Sequence, residues 1–313
     1  MPAPIVTLTM NPAVDVAASA PEIAPFRKLR CGPERRDAGG GGINVARVVR
    51  RLGADPLAVF PAGGSIGQLL AKLVAAEGVQ CHVVPIAAET REDFTLLDDK
   101  TKFPYRFVLQ GPHLTAAEAE ACVSAFESRL APGTFAVASG SLPPGTPDDF
   151  YAGAAKAAKR AGAKFVLDSS GDALKSALDQ GVYLVKPNRR ELSSVAGEML
   201  ETEVQWLTAA RGLVARGKAE IVALTLADKG ALLVSRDGAL RANAPAVTPV
   251  STVGAGDSFL GALVAMMARG ETLKDAFRAA VAAGTAALLA AGTELARPAD
   301  IAEIAARVDV KEL

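Results

Sequence analysis

Short runs of β-branched and other apolar residues alternate along this chain with longer Ala-rich stretches whose apolar positions recur at helical spacing. The runs predict strands at Ile5–Thr9, Leu57–Phe60, His82–Val84, Phe135–Ala138, Lys164–Leu167, Tyr183–Val185 and Ile221–Leu224. The stretches predict helices at Ile43–Leu52, Gly67–Ala76, Ala116–Leu130, Pro147–Ala161, Glu203–Arg216, Ala255–Ala268 and Leu273–Ala290. Strands separated by helices need crossover connections, so the expected class is α/β with helices on the faces of a mostly parallel sheet. Two segments break the alternation. Residues 13–40 and 89–108 carry half-alternating polar stretches such as DFTLLDD and FPYRFVL with no intervening helix, a pattern of strands wetted on one face. Either they are long surface hairpins, or they pair into a small separate sheet that covers whatever binds at the edge of the main one. The second arrangement leaves 1–12, 41–88 and 109–313 as the main domain.

The totals narrow the classes of partner. With 313 residues, half of them apolar, the chain can build a substantial core. Its 34 basic and 34 acidic side chains cancel, so no global field draws nucleic acid or an anionic membrane, and any anion must be held by a local site. Cys31, Cys81 and Cys122 have no metal-ligand spacing, and an odd number suits a reducing compartment, hence a cytoplasmic protein. The opening MPAPIVTLTMNP lacks the basic and apolar regions of a secretory signal, and the Ala-rich run 279–292 is short enough to be a core helix.

Candidate chemistry lies where strands give way to helices. DAGGGGINVARVVRRLG, residues 37–53, places four consecutive glycines before an apolar-faced helix. Such a run either makes a tight turn or brings free N–H groups close to an anion or a hydroxyl-rich ligand. Neither dinucleotide nor P-loop spacing occurs. Asp15 follows the first strand, where ligands of open α/β sheets bind, and a carboxylate there can accept hydrogen bonds from sugar hydroxyls. In VKPNRRE, Asn188 and Glu191 are spaced as a capping box, or as an amide and a carboxylate that order the waters of a phosphate-bound Mg²⁺. In STVGAGDS, Gly254, Ala255 and Gly256 offer successive N–H groups at a helix start, an anion hole for a phosphoryl group. Asp257 behind them is either a helix cap or a base placed to take the proton of an attacking hydroxyl. Ser139 and Ser141 sit on a loop after a strand, where they can touch substrate, and no paired base marks either as a nucleophile.

Taken in order, NPAVD, GGGGINVARVVRRLG, SGSLPPG, LDSSG, KPNRRE, STVGAGDS and VAAGTAALLAAGT resemble the ribokinase-type (PfkB) carbohydrate kinases, and within them the bacterial 6-phosphofructokinases. The resemblance implies a three-layer α/β/α domain with a β-sheet lid, dimerisation through that lid, and MgATP-dependent phosphorylation of a sugar or sugar phosphate. It makes Asp257 the base and Gly254–Gly256 the anion hole. Asp15, Gly40, Gly41 and Asn44 become sugar-binding positions. Lys186, Asn188 and Glu191 fall near the phosphates and metal, and Thr225 and Gly230 in the nucleotide loop. Ala227 stands where glycine is expected there, and Pro249 where a small polar residue is expected. K⁺ activation through backbone carbonyls near Ser251, Val253 and 287–292 stays open.

The acceptor's own phosphate asks for cations, because charge-assisted bonds are the strong ones. Lys28, Arg91 and Arg106 lie on the two lid segments at positions resembling those that hold such a phosphate. Kinases of fructose 1-phosphate and tagatose 6-phosphate usually have GGKG where this chain has Gly39–Gly42, which favours fructose 6-phosphate. Tagatose-6-phosphate kinase, 1-phosphofructokinase and a non-catalytic sugar-phosphate sensor are the alternatives.

Overall fold

The apolar runs form the middle of a ten-stranded sheet in the computed structural model, which describes residues 2–313. Along the chain the strands are β1 (Ile5–Leu8), β2 (Ala13–Ala20), β3 (Arg35–Gly39), β4 (Leu57–Ala62), β5 (Gln80–Pro85), β6 (Arg91–Asp98) and β7 (Pro104–Phe107). They continue with β8 (Phe135–Ser139), β9 (Lys164–Asp168), β10 (Val182–Val185), β11 (Ala219–Thr225), β12 (Ala231–Ser235), β13 (Gly238–Ala242) and β14 (Val310–Glu312). The helices are α1 (Gly41–Arg51), α2 (Gly64–Ala76), α3 (Ala116–Glu127), α4 (Phe150–Arg160) and α5 (Gly171–Leu178). After them come α6 (Arg189–Ala196), α7 (Glu203–Ala215), α8 (Ala255–Ala268), α9 (Leu273–Ala287) and α10 (Pro298–Ala305).

The large sheet runs β14-β13-β12-β11-β10-β9-β8-β1-β4-β5. Its strands are parallel from β11 through β5 and antiparallel from β11 to β14. Every residue of β1 and β8 is buried, as expected where helices cover both faces. On one face α3 to α7 supply Phe126, Tyr151, Leu174, Leu192 and Trp206 to the core. On the other, α1, α8, α9 and α10 supply Val49, Phe259, Leu263, Phe277 and Ile301. The two layers and the sheet between them are the expected α/β/α sandwich. Helix α8 lies against both α1 and α9; the absence of a side chain at Gly261 lets it approach Val48 of α1.

The Ala-rich run is a core helix as expected, but α9 stops at Ala287 and the chain turns before Gly292, whose φ is 60°. The antiparallel edge β12–β14 and helices α5 and α10 lie outside the elements expected from the pattern. Each is at most eight residues, too short to repeat an apolar period.

The smaller sheet is ordered β3-β2-β6-β7, with β2 and β6 parallel and both outer pairs antiparallel. All its residues fall within 13–40 and 89–108. Register gives it two unlike faces, since partners opposite one another share a face. Asp37, Asp15 and Asp93 stand side by side on one, with Thr95 and Arg106. The other carries Phe94, Leu96, Tyr105 and Phe107. Among the described residues no helix is long and apolar enough to cross a membrane.

Candidate active site

The carboxyl ends of β1, β8, β9 and β10 converge on the first turns of α1 and α8, and the side chains that meet there come from five separate stretches of sequence. Gly254 caps α8 in the left-handed region, φ 73°, and no side chain caps that end. Asp257 in the first turn is therefore not a helix cap. Its carboxylate is half-buried and accepts a hydrogen bond of 2.9 Å from Asn44 Nδ2 on α1. Burial, reinforced by the charge of Asp168, pushes Asp257 up to about 6 against the pull of Asn44, Lys186 and Arg47. Desolvation thus outweighs the positive helix end, and the group still ionises below neutral pH.

Lys186 follows β10 and is buried, with Nζ 3.1 Å from Asp168 Oδ1 at the end of β9. Burial alone would lower its affinity for a proton, but the carboxylates of Asp168, Glu191 and Asp257 more than offset it and hold it as the ammonium. A Cβ on Gly256 would lie 3.5 Å from that nitrogen, so the cation stands beside the open start of α8. An ammonium, exposed peptide N–H groups and a carboxylate share one small volume, which suits a phosphoryl group moving toward a hydroxyl.

Asn188 and Glu191 form a complete capping box. Asn188 Oδ1 accepts from the N–H groups of Arg190 and Glu191, while Glu191 Oε2 accepts from Asn188 N at 2.8 Å. Only the NH₂ of the Asn188 amide and one carboxylate oxygen of Glu191 stay free of that box. Among the described residues no three acidic, His or Cys groups are arranged to enclose a metal. The donor set suits a cation that keeps its waters and rides on phosphates, as Mg²⁺ does.

The glycine run is explained by what surrounds it. Gly40, φ 107°, starts α1, and a Cβ on Gly41 would strike Ser139 Oγ, while one on Gly42 would strike Thr9 Oγ1 and the Leu8 carbonyl. The run lets α1 begin flush against the ends of β1 and β8. This brings Gly40, Gly41, Ser139 and Asn44 to one wall. Asp15 on β2 faces the same region and is pushed up to about 7, first by burial and then by Asp93, with Arg106 opposing.

Beside Gly256 opens a cleft of about 920 Å³ lined by Asn188, Thr225, Ala227, Gly230, Pro249 and Thr252, with Val281 and Leu288 forming apolar wall. Its volume and apolar walls suit a nucleoside. Thr225 pairs with Asn188 across the strand ends, and its N–H donates to the Pro187 carbonyl at 3.0 Å. A side chain on Gly230 would run into the Ala242 carbonyl and Ala244 N. Ala227 adopts φ 57°, the conformation for which glycine was expected, so the alanine accepts backbone strain there.

The lid cations are placed differently from one another. Lys28 is exposed on the loop joining β2 and β3, and Arg106 is exposed opposite Thr95. Arg91 is largely covered. Its Nη2 donates to the Asn11 carbonyl at 2.9 Å and its Nη1 to the Leu109 carbonyl, tying the start of β6 to the loop after β1. Two polar residues at the site, Asp168 and Arg47, were not among those singled out in the sequence. Asp168 ends the strand β9, a position at which an aspartate could have been singled out, and Arg47 is a charge on the apolar-patterned helix α1. Farther along, Ser251 Oγ donates to the Gly292 carbonyl at 2.8 Å, bringing together the two segments named for a monovalent cation.

A family model described as pfkB family carbohydrate kinase matches residues 5–300. The chain is 46% identical over 297 residues to ATP-dependent 6-phosphofructokinase isozyme 2 of Mycobacterium tuberculosis, covering 95% of this chain and 87% of that one. It is 40% identical to the Escherichia coli protein of the same name, covering 96% and 97%. It is 34% identical to 1-phosphofructokinase of Xanthomonas campestris, covering 84% and 83%. Escherichia coli phosphofructokinase-2 with fructose-6-phosphate superposes with a TM-score of 0.92, at 37% identity, over 97% of this chain and 99% of that one. The same enzyme with potassium gives 0.94 at 38% identity and the same coverage, and a further structure is described as its tetrameric inhibited form.

Proposed function

Because this chain belongs to the pfkB family of carbohydrate kinases, we propose that it transfers the γ-phosphoryl group of ATP to the 1-hydroxyl of fructose 6-phosphate. The products are fructose 1,6-bisphosphate and ADP. That it is an ATP-dependent sugar phosphotransferase follows from the family; the acceptor and the roles of individual residues are our reading. One observation carries it: Asp257 is half-buried at the start of α8, does no capping, and is oriented by Asn44 beside the N–H groups of 254–256.

In this reading the ionised Asp257 takes the proton of the 1-hydroxyl as its oxygen attacks the γ-phosphorus and the bond to the β-γ bridging oxygen breaks. The backbone of Gly254, Ala255 and Gly256 and the Lys186 ammonium meet the charge on the transferring group. The cleft bounded by Thr225 and Gly230 takes the nucleoside. Glu191 and Asn188 would hold the water shell of a Mg²⁺ ion, which would neutralise phosphate charge. Asp15, Gly40, Gly41, Asn44 and Ser139 face the sugar, and Lys28, Arg91 and Arg106 are assigned to its phosphate. The small sheet closes over the site and keeps water from the phosphoryl group. Its outward apolar face makes it the contact of a homodimer. The segments joined by Ser251 are the place for K⁺.

Fructose 6-phosphate is preferred because no lysine interrupts Gly39–Gly42 and because the relatives at 46% and 40% identity carry the 6-phosphofructokinase name. The 34% identity to a 1-phosphofructokinase makes fructose 1-phosphate the second acceptor to test, followed by tagatose 6-phosphate. ADP release measured across these three phosphates and fructose decides: the highest kcat/KM should fall on fructose 6-phosphate. No turnover with any of them would favour a sensor. Asp257→Asn should lower turnover by about two orders of magnitude while sugar-phosphate binding is retained.

A further inference from the structure

Arg47 is the largest of the fully buried side chains, and the proposed reaction gives it no role. A guanidinium taken out of water is costly unless its donors are met. Here Nε donates to Glu77 Oε1 at 2.6 Å, beyond the end of α2, while Nη2 lies 2.5 Å from the same oxygen as an ion-pair contact without a hydrogen bond of its own. Arg51 holds the other oxygen of Glu77 at 2.9 Å. The remaining nitrogen, Nη1, divides between the Ala38 carbonyl of β3 at 2.6 Å and Asn44 Oδ1 at 3.1 Å.

The last contact has a chemical consequence. A guanidinium only donates, so it accepts the oxygen of the Asn44 amide and rejects its NH₂ group. With Oδ1 committed to Arg47, Nδ2 faces Asp257 and donates to it at 2.9 Å. Reversing the amide would set its oxygen against the carboxylate and its NH₂ against the guanidinium, two repulsive pairs in a dry site. We infer that Arg47 is a positioning residue for the reaction. Anchored by Glu77, it fixes the Asn44 amide so that Asp257 is held by a donor, and through Ala38 it ties that arrangement to the lid strand β3. The inference rests on Asp257 being the base.

The groups facing Asp257 are Asn44 and Arg47 from α1, Lys186 after β10 and Asp168 at the end of β9. Loss of Arg47 removes both a positive charge and the orientation of the amide, and both losses raise the carboxylate's affinity for a proton. The test compares kcat against pH, at saturating ATP and fructose 6-phosphate, for the native chain, the double variant Arg47→Met/Glu77→Gln and Arg47→Lys. Removing both charges of the Arg47–Glu77 pair leaves only the partly exposed Arg51 to find a new partner, for which the substituted glutamine keeps an amide oxygen; a pair that served only packing would be replaceable without kinetic effect. The acid limb of the double variant is expected about half to one pH unit higher, and its plateau about tenfold lower, with KM for ATP unchanged. Arg47→Lys, which keeps the charge with a different donor geometry, should fall between. A folded double variant with the native acid limb and plateau overturns the inference. If it does not fold, Arg47→Lys and the more exposed Glu77→Gln carry the same decision. Asp257→Asn is measured in parallel. Full activity there would remove the base assignment itself, whereas an inactive Asp257→Asn with native limbs in the Arg47 variants would remove only the positioning role.

Discussion

Asp15 and Asp257 hold their protons more tightly than a free aspartate, at about 7 and about 6, chiefly because folding buries them. For Asp257 the shift sets a pH dependence of rate, since only the carboxylate accepts a proton. Turnover at saturating substrates should climb as pH rises through about 6 and then level off. For Asp15 the shift sets a pH dependence of stability. A carboxyl whose folded value lies above its unfolded value favours the folded state at low pH, and that contribution is lost as pH rises from about 4 to about 7. Asp15→Asn should therefore leave stability near pH 4 little changed. At pH 8 it should raise stability by on the order of 2 kcal/mol, read by denaturant titration at both pH values, while weakening sugar-phosphate binding. Asp257 and Lys186 were legible because one opens a helix and the other directly follows a strand, where backbone geometry narrows what a polar residue does, and Asp15 because it comes soon after the first strand, although it lies within β2. Arg47 was not, because a helix with Arg47, Arg50 and Arg51 on successive turns reads as one with a solvated basic edge. Only the packing of α2 and β3 against α1 shows that the first of them points inward.

Glycine acts at the scale of elements, by letting two helices start where a side chain would not fit. At Gly42 the obstruction is the Leu8 carbonyl, which belongs to the central sheet and cannot yield. Gly42→Ala should cost about 1–3 kcal/mol in thermal or chemical unfolding. Gly254→Ala combines a left-handed φ of 73° with a Cβ directed into Leu295. It should destabilise by about 1–2 kcal/mol from the backbone alone, and it should also depress turnover, because the N–H groups at the start of α8 would turn away. Gly153, exposed in α4 with nothing near its absent Cβ, is the control: Gly153→Ala should stabilise by about 0.5–1 kcal/mol and leave kinetics unaltered. The glycine run announced a close approach without saying of what, since the same string serves a turn, a ligand or a packed helix. The regular helices were legible from period alone; α8 matches its expected bounds of Ala255–Ala268 because glycines precede it and Arg269-Gly270 end its apolar run. The capping box of α6 was equally legible, because its chemistry is local.

At the scale of the whole molecule, the alternation along β6 and β7 separates two tasks. The face with Asp15, Asp93 and Arg106 is turned to the site, and Thr293 on the main domain donates to Asp37 on that face at 2.7 Å. The opposite face leaves Phe94, Tyr105 and Phe107 exposed, with Phe103, Val108 and Leu109 exposed beside them. Aromatic and aliphatic side chains gathered on one side of a four-stranded sheet are what an association surface offers, and a lone lid would pay for wetting them. Phe107→Asp should lower the mass measured by sedimentation from that of the native assembly to that of a smaller species, with a charge buried against the partner as the cause. The effect on the reaction discriminates further. If lid contact between copies holds the small sheet over the sugar, the variant's KM for fructose 6-phosphate should rise several-fold while its KM for ATP, bound in the cleft beside α8, stays near the native value. A native mass for Phe107→Asp would overturn the assignment of this face to a contact between copies.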